Sequence, residues 1–160
     1  MEDGKLTQKS IPMEELMALL SVQMEKGGSA RLTVTGYSMM PLLYNLRDSV
    51  TLVPADGKEK KGDIILYKRE NGAYVLHRII DIVEGGYICC GDNQYMREQV
   101  AFQQILARVT AFTRKGKRIP VENKAYQRYV TAWIFFFPLR GMYIPVRRCL
   151  GRLIRKFKTK

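Results

Sequence analysis

A chain of 160 residues is long enough for one domain with a buried core and too short for two domains with a sizeable core each. Its apolar fraction of 46% and charged fraction of 26% are those of a folded protein, which argues against global disorder. The formal net charge of +12 favours anionic partners, namely an acidic membrane surface, acidic peptides or nucleic acid.

Residues 1–28 predict an N-terminal helical segment, with an amphipathic helix over residues 11–26. Ser10 can cap this helix, Pro12 suits its first turn, and Gly27-Gly28 ends it. Apolar residues recur along it at helical spacing: Met13, Leu16, Met17, Leu20 and Met24. The polar start of the chain predicts neither a secretory signal nor an N-terminal membrane anchor.

Residues 29–122 change to short runs rich in Val, Ile, Leu, Tyr and Thr, separated by turn signals. The predicted strands are residues 30–35, 49–53, 63–67, 73–83, 86–90 and 105–112. Asn71-Gly72 and Gly85-Gly86 are typical of hairpin turns. Strands this closely spaced, with no helices between them, predict a mainly β domain with an antiparallel core.

Residues 123–160 predict a hydrophobic and basic C-terminal tail with helical character. Residues 129–139 are uncharged and aromatic, but a membrane-crossing helix needs a longer apolar run of about 20 residues. No acidic residue follows Glu122, so the excess positive charge is concentrated here. Apolar residues near the end fall on one helical face: Cys149, Leu150, Leu153, Ile154 and Phe157. With arginines and lysines away from that face, the tail predicts association with an anionic membrane surface.

The three cysteines and the single histidine predict neither a disulfide framework nor a metal site. Cys89 and Cys90 are adjacent in an extended run and point to opposite sides, so they are poorly placed to pair. An odd count, completed by Cys149, fits a reducing compartment. The cysteines and the histidine also lack the paired spacing of zinc ligands, and we expect no cofactor.

The segment Gly36-Tyr37-Ser38-Met39-Met40-Pro41 carries the residue types of a nucleophile turn. A serine hydroxyl attacks only when a base takes its proton and donors hold the oxyanion that forms. A turn opened by Gly36 can present Ser38 with its backbone N–H free as such a donor, with Met39 beside it. Gly, Ser and Pro are also the ordinary residues of any turn, which is the alternative interpretation.

Two later segments supply a candidate base and a candidate residue to orient it. His77 is the only histidine and its pKa range suits proton transfer, although a lone histidine in a strand is often simply packed. Asp92, in the turn Gly91-Asp92-Asn93, can accept the imidazole N–H, or can be an ordinary Asx-turn residue. Asp81 is a poorer partner, since four residues of regular strand span roughly 13 Å. Asp63 could brace the site.

Taken in order, four short boxes resemble those of the S26 signal peptidases and of their relatives, the repressor-type S24 peptidases. Residues 36–41 are similar to the Gly-x-Ser-Met-x-Pro box and Gly62-Asp63-Ile64 to the Gly-Asp-Ile box. His77-Arg78-Ile79 is similar to the box that carries the base, and Gly91-Asp92-Asn93 to the Gly-Asp-Asn box. The resemblance covers about residues 30–112.

This resemblance implies a signal-peptidase-like or repressor-peptidase-like β core, with Ser38 as nucleophile, His77 as base and Asp92 as acid. Histidine in place of the lysine of bacterial signal peptidases is similar to the endoplasmic-reticulum, archaeal and sporulation-type enzymes. Members typically carry an N-terminal transmembrane anchor, which a polar amphipathic helix replaces here. A dedicated role, such as trimming the leader of a ribosomally made peptide, therefore becomes plausible.

We accordingly predict a serine endopeptidase that cleaves a signal or leader peptide, in the cytoplasm or peripherally bound to the cytoplasmic face of a membrane. One alternative is a non-catalytic membrane- or peptide-binding module of the same fold. Another is a self-cleaving regulator like the S24 repressors. A single helix before residue 30 is too little for helix-turn-helix recognition, so no specific nucleic-acid partner is expected.

Overall fold

The computed structural model describes residues 14, 15, 17, 18, 22 and 27–142. The described residues of the predicted N-terminal helix are helical, and Met17 is buried among the core residues. The second predicted helix, at residues 149–157, lies outside the described residues, as does Cys149.

In the described part of the chain, eight strands form one antiparallel sheet. They are β1 (Ala30–Thr33), β2 (Ser49–Pro54), β3 (Ile64–Lys68), β4 (Tyr74–Val83), β5 (Gly86–Cys90), β6 (Glu98–Ala101), β7 (Ile105–Arg114) and β8 (Lys117–Pro120). The strand order is β1-β2-β7-β3-β4-β5-β6, and β8 also pairs with β7. The predicted mainly β, antiparallel architecture is confirmed.

All six predicted strands are present, with ends that differ by at most two residues. The hairpin expected at Asn71-Gly72 joins β3 to β4 and sets Ile65 opposite His77. The hairpin expected at Gly85-Gly86 joins β4 to β5 and sets Arg78 opposite Cys90. β6 and β8 were not predicted.

Side chains alternate across β3, β4 and β5, so neighbouring residues serve opposite faces of the sheet. One face carries a buried cluster: Ile65, Tyr67, Ile79, Tyr87, Cys89 and Val100. His77 belongs to this face, because it pairs with Ile65. Arg78 belongs to the other face, where it donates a hydrogen bond to Tyr126 of the helix that follows β8.

That helix, α1 (Lys124–Phe135), begins at Asn123, whose side chain accepts hydrogen bonds from two backbone N–H groups of its first turn. It buries Tyr126, Val130 and Trp133, and Phe137 is buried in the 3-10 turn Phe137–Leu139 that follows. The first part of the segment predicted as a tail is thus packed on the sheet. No helix among the described residues has the length and apolar character needed to cross a bilayer.

Candidate active site

Ser38 lies in a turn that is fixed to the protein on both sides. Before it, the Gly36 N–H donates to Asn45 Oδ1 at 2.9 Å, with Gly36 at a φ of +85° that favours glycine. After it, Met39 and Leu43 are buried in the core, and the Leu43 N–H donates to the Met39 carbonyl at 2.9 Å. Ser38 itself is half-buried. The sequence therefore presents a hydroxyl at the surface of a rigid loop.

The backbone N–H groups of Ser38 and Met39 donate to no acceptor among the described residues. Such free neighbouring donors are what an oxyanion needs. The Gly36 N–H, in contrast, is occupied by Asn45. Of the three residues predicted to form or position an oxyanion site, two retain a free donor and Gly36 shapes the turn.

Gly91 and Asn93 hold the Ser38 turn against the end of β5. A Cβ at Gly91 would lie 2.7 Å from the Ser38 carbonyl oxygen and 3.0 Å from Ser38 Cβ, so only glycine allows this approach. The Asn93 N–H donates to the Ser38 carbonyl at 2.7 Å, and Asn93 Nδ2 donates to the Tyr37 carbonyl at 3.2 Å. The Gly-Asp-Asn segment thus holds the Ser38 turn in place.

Asp92 is fully buried and bound to Arg78, not to His77. Arg78 Nε donates to Asp92 Oδ1 at 2.9 Å and its terminal nitrogen to Oδ2 at 2.8 Å. The Tyr129 hydroxyl also donates to Oδ2, at 2.8 Å, and Arg140 donates to the Asp92 carbonyl. These hydrogen bonds replace the hydration that the Asp92 carboxylate loses on burial.

Arg78 ties three segments of the chain together. Besides Asp92, it donates to the Gly62 carbonyl at 2.7 Å and to the Tyr126 hydroxyl at 3.0 Å. Burial opposes its charge, but the pKa of Arg78 is raised on balance by Asp92, so the ion pair persists. Asp63, considered as a brace, accepts from the Lys60 N–H at 2.8 Å, and its carbonyl accepts from Ile79.

His77 is bound through Tyr67 to a charged pair. Its Nδ1 lies 3.1 Å from the Tyr67 hydroxyl, which donates to Glu98 Oε2 at 2.8 Å. Arg69 donates to both oxygens of Glu98, at 2.6 and 2.7 Å. These hydrogen bonds hold the pKa of Glu98 below its usual value, so Glu98 is an acceptor near neutrality.

This chain of contacts fixes the tautomer of His77. The single hydroxyl proton of Tyr67 is committed to Glu98, so Tyr67 can only accept from Nδ1, and Nδ1 carries the proton. Nε2 then has its lone pair free, with no hydrogen bond to any described residue. Burial lowers the pKa of His77 to about 4 against an opposing effect of Glu98, so the imidazole is neutral at pH 7. A neutral imidazole with a free Nε2 has the form of a general base.

Gly91 relates Ser38 to His77. The β4–β5 ladder pairs Arg78 with Cys90, and extending it by one position sets His77 opposite Gly91. The absent Cβ of Gly91 points at Ser38, and residues opposite each other project to the same face of a sheet. If the ladder continues in this register, Ser38 and His77 share a face. No hydrogen bond joins their side chains, as is common before substrate tightens a site.

Sequence reasoning missed Tyr67, Glu98 and Arg69. The hairpin at Asn71-Gly72 contained a signal for Tyr67, since a register that pairs Ile65 with His77 sets Tyr67 diagonally across on the same face. Glu98 had no such signal. It starts β6, which is not apparent from sequence, and reaches the site by pairing with Cys89.

The described cysteines lack the form of a nucleophile, and the described residues contain no metal-ligand cluster. Cys89 and Cys90 are free and buried, and burial raises the pKa of their thiols to about 12 and about 11, so both stay protonated. Within residues 27–142 and the described N-terminal positions, no group of three or more His, Cys, Asp or Glu side chains could hold a metal ion.

A cleft of about 370 Å³ is lined by Arg69 and by residues 94–98. Neither Ser38 nor His77 is among its lining residues. Tyr95 and Met96 are exposed, with 38% and 72% of their surface accessible. Both present apolar surface to solvent at this cleft.

Comparison of the chain with family models, with curated proteins and with solved structures finds no match in any of the three.

Proposed function

We propose that this protein is a serine endopeptidase in which Ser38 is the nucleophile and His77 the general base. The observation that carries the proposal is the hydrogen-bond chain from Nδ1 of His77 through Tyr67 to Glu98, which assigns the ring proton to Nδ1 and leaves Nε2 without a partner among the described residues. Burial accounts for the lowered pKa of His77, so the proposal rests on the hydrogen bonds of the imidazole and not on that pKa.

In the proposed reaction, His77 Nε2 takes the proton of Ser38 Oγ as Oγ bonds to the carbonyl carbon of the substrate. The oxygen that gains negative charge accepts from the N–H groups of Ser38 and Met39. His77 then gives its proton to the leaving amine, and the carbon–nitrogen bond breaks. The same Nε2 then takes a proton from water, the water oxygen bonds to the acyl carbon, and His77 gives that proton to Ser38 Oγ as the ester carbon–oxygen bond breaks.

Tyr67 and Glu98 take the orienting role that the resemblance gave to Asp92. Imidazolium forms in the transition state with its Nδ1–H on Tyr67, and the carboxylate of Glu98 stabilises the positive charge through that hydroxyl. Asp92, whose carboxylate accepts from Arg78 and Tyr129, instead fixes the turn that clamps Ser38.

The resemblance of the four boxes supports a signal-peptidase-like or repressor-peptidase-like fold and a signal or leader peptide as substrate. The exposed side chains of Tyr95 and Met96 offer apolar contacts to a peptide in the neighbouring cleft.

The test is cleavage of a proteome-derived peptide library by the full chain, with products identified by mass spectrometry. Wild type should yield a defined product set that both Ser38→Ala and His77→Gln lose, while circular dichroism stays unchanged. Ser29→Ala, an exposed serine outside the site, is the matched control and should retain cleavage.

An identical product set from wild type and Ser38→Ala overturns the proposal. Peptide binding without Ser38-dependent products would favour the non-catalytic module. Shortening of the chain itself, lost in Ser38→Ala, would favour the self-cleaving regulator.

A further inference from the structure

The segment that leaves α1 exposes an apolar surface of four large side chains. Their accessible fractions are 75% for Phe135, 53% for Phe136, 52% for Leu139 and 68% for Met142. Single exposed apolar residues are ordinary, but neighbouring ones that form a patch mark an interaction site. We call these four residues the aromatic edge.

The aromatic edge is held rigidly, because the opposite side of the same segment is anchored in the protein. Tyr126, Val130, Trp133 and Phe137 are buried at spacings of four, three and four residues. At about 100° per residue within α1, Phe135 projects away from that buried face, and Leu139 and Met142 beyond the helix are also exposed. The aromatic edge therefore faces outward from a fixed base, and its exposure is part of the fold.

Positive charge adjoins the aromatic edge along the chain. Lys124 and Arg128 are exposed and share the helix face of Phe135, at spacings of four and seven residues. The 18 residues after Met142 contain seven arginines and lysines and no acidic residue. These are Arg147, Arg148, Arg152, Arg155, Lys156, Lys158 and Lys160.

We propose that the aromatic edge docks on the surface of an anionic phospholipid bilayer. Aromatic and aliphatic side chains enter the boundary between headgroups and acyl chains, while flanking cations bind the negative charge of the lipid headgroups. A second copy of this chain is a poorer occupant, because pairing two aromatic edges would bring two strongly basic segments together. This inference is independent of the proposed peptidase activity.

The test is co-sedimentation of the full chain with vesicles of phosphatidylcholine alone or mixed with phosphatidylglycerol. Binding should require phosphatidylglycerol and should weaken in about 1 M salt, where the Debye length is about 3 Å. The double variant Phe135→Ser, Phe136→Ser should bind at least tenfold more weakly with unchanged circular dichroism. The control is Leu46→Asn, which removes another exposed apolar side chain, 67% accessible, and should bind as wild type does.

Equal binding of wild type to both kinds of vesicle overturns the proposal, as does undiminished binding of the double variant. Dimerisation in solution that the double variant loses, without any vesicle binding by wild type, would reassign the aromatic edge to a second copy of the chain.

Discussion

Gly91 and Ser38 touch so closely that one additional carbon at position 91 would lie 3.0 Å from Ser38 Cβ. Gly91→Ala must therefore displace the turn that carries Ser38, the proposed nucleophile. A displacement of about 1 Å costs roughly a hundredfold in rate, and we expect a kcat loss of about that size in steady-state peptide cleavage. Gly141→Ala is the control, since its Cβ meets nothing within 4 Å. Unchanged kcat in Gly91→Ala would mean that this contact does not position Ser38.

Tyr67→Phe should slow the reaction without weakening substrate binding. The variant keeps the ring but removes the acceptor of the His77 Nδ1–H. A hydrogen bond to a group that becomes charged is worth about ten- to a hundredfold, so kcat should fall by that factor while KM stays constant. Tyr74→Phe, which alters a tyrosine outside this chain of contacts, should leave both kcat and KM unchanged. A rise in KM alone would assign Tyr67 to substrate binding.

Glu98→Gln should move the pH profile in a defined direction. In wild type, protonation of His77 should remove activity as the pH falls through the pKa of about 4. The Glu98 carboxylate raises that pKa against the effect of burial, so its neutralisation lowers it further. In a plot of kcat/KM against pH, the acid limb should therefore shift to lower pH. The pH-independent value of kcat/KM above that limb should be smaller than in wild type. An unshifted limb would show that Glu98 acts only on the packing.

Asp92→Asn should chiefly affect stability. The substitution leaves the buried charge of Arg78 uncompensated, which costs about 3–5 kcal/mol of unfolding free energy in urea titrations. Tyr129→Phe removes one hydrogen bond to the same carboxylate and should cost about 1 kcal/mol. If Asp92→Asn instead keeps wild-type stability and loses kcat, Asp92 has the orienting role that the resemblance implies.

The strands that sequence predicts are those whose residues are apolar and β-branched and whose ends carry glycine turns. β6 and β8 lack that character, because they begin Glu98-Gln99 and Lys117-Arg118. Both exist because a longer neighbour offers free backbone groups: β5 pairs with β6, and β7 with β8. Pairing partners of this kind are a tertiary property that local propensity does not contain.

The candidate site likewise has some features that depend on short segments of sequence and others that depend on how strands pair. Ser38, its free N–H and the glycines beside it are local features of short segments, and sequence reasoning found them. The neighbours of a carboxylate depend on which strands meet. Asp92 and Glu98 lie six residues apart in the sequence, yet Asp92 contacts the helix side of the sheet and Glu98 the His77 side.

His77 and Arg78 are consecutive residues of β4, and they point to opposite faces of the sheet. A mispairing of β4 by one position would exchange them, burying the imidazole beneath the helix and leaving a guanidinium near Ser38. Such a molecule would lack a proton acceptor and would also leave Asp92 without its counter-ion. Under the proposed mechanism, a molecule is active only when β4 has paired in its native register. The peptidase activity recovered during refolding would therefore measure the fraction of molecules that have reached this register.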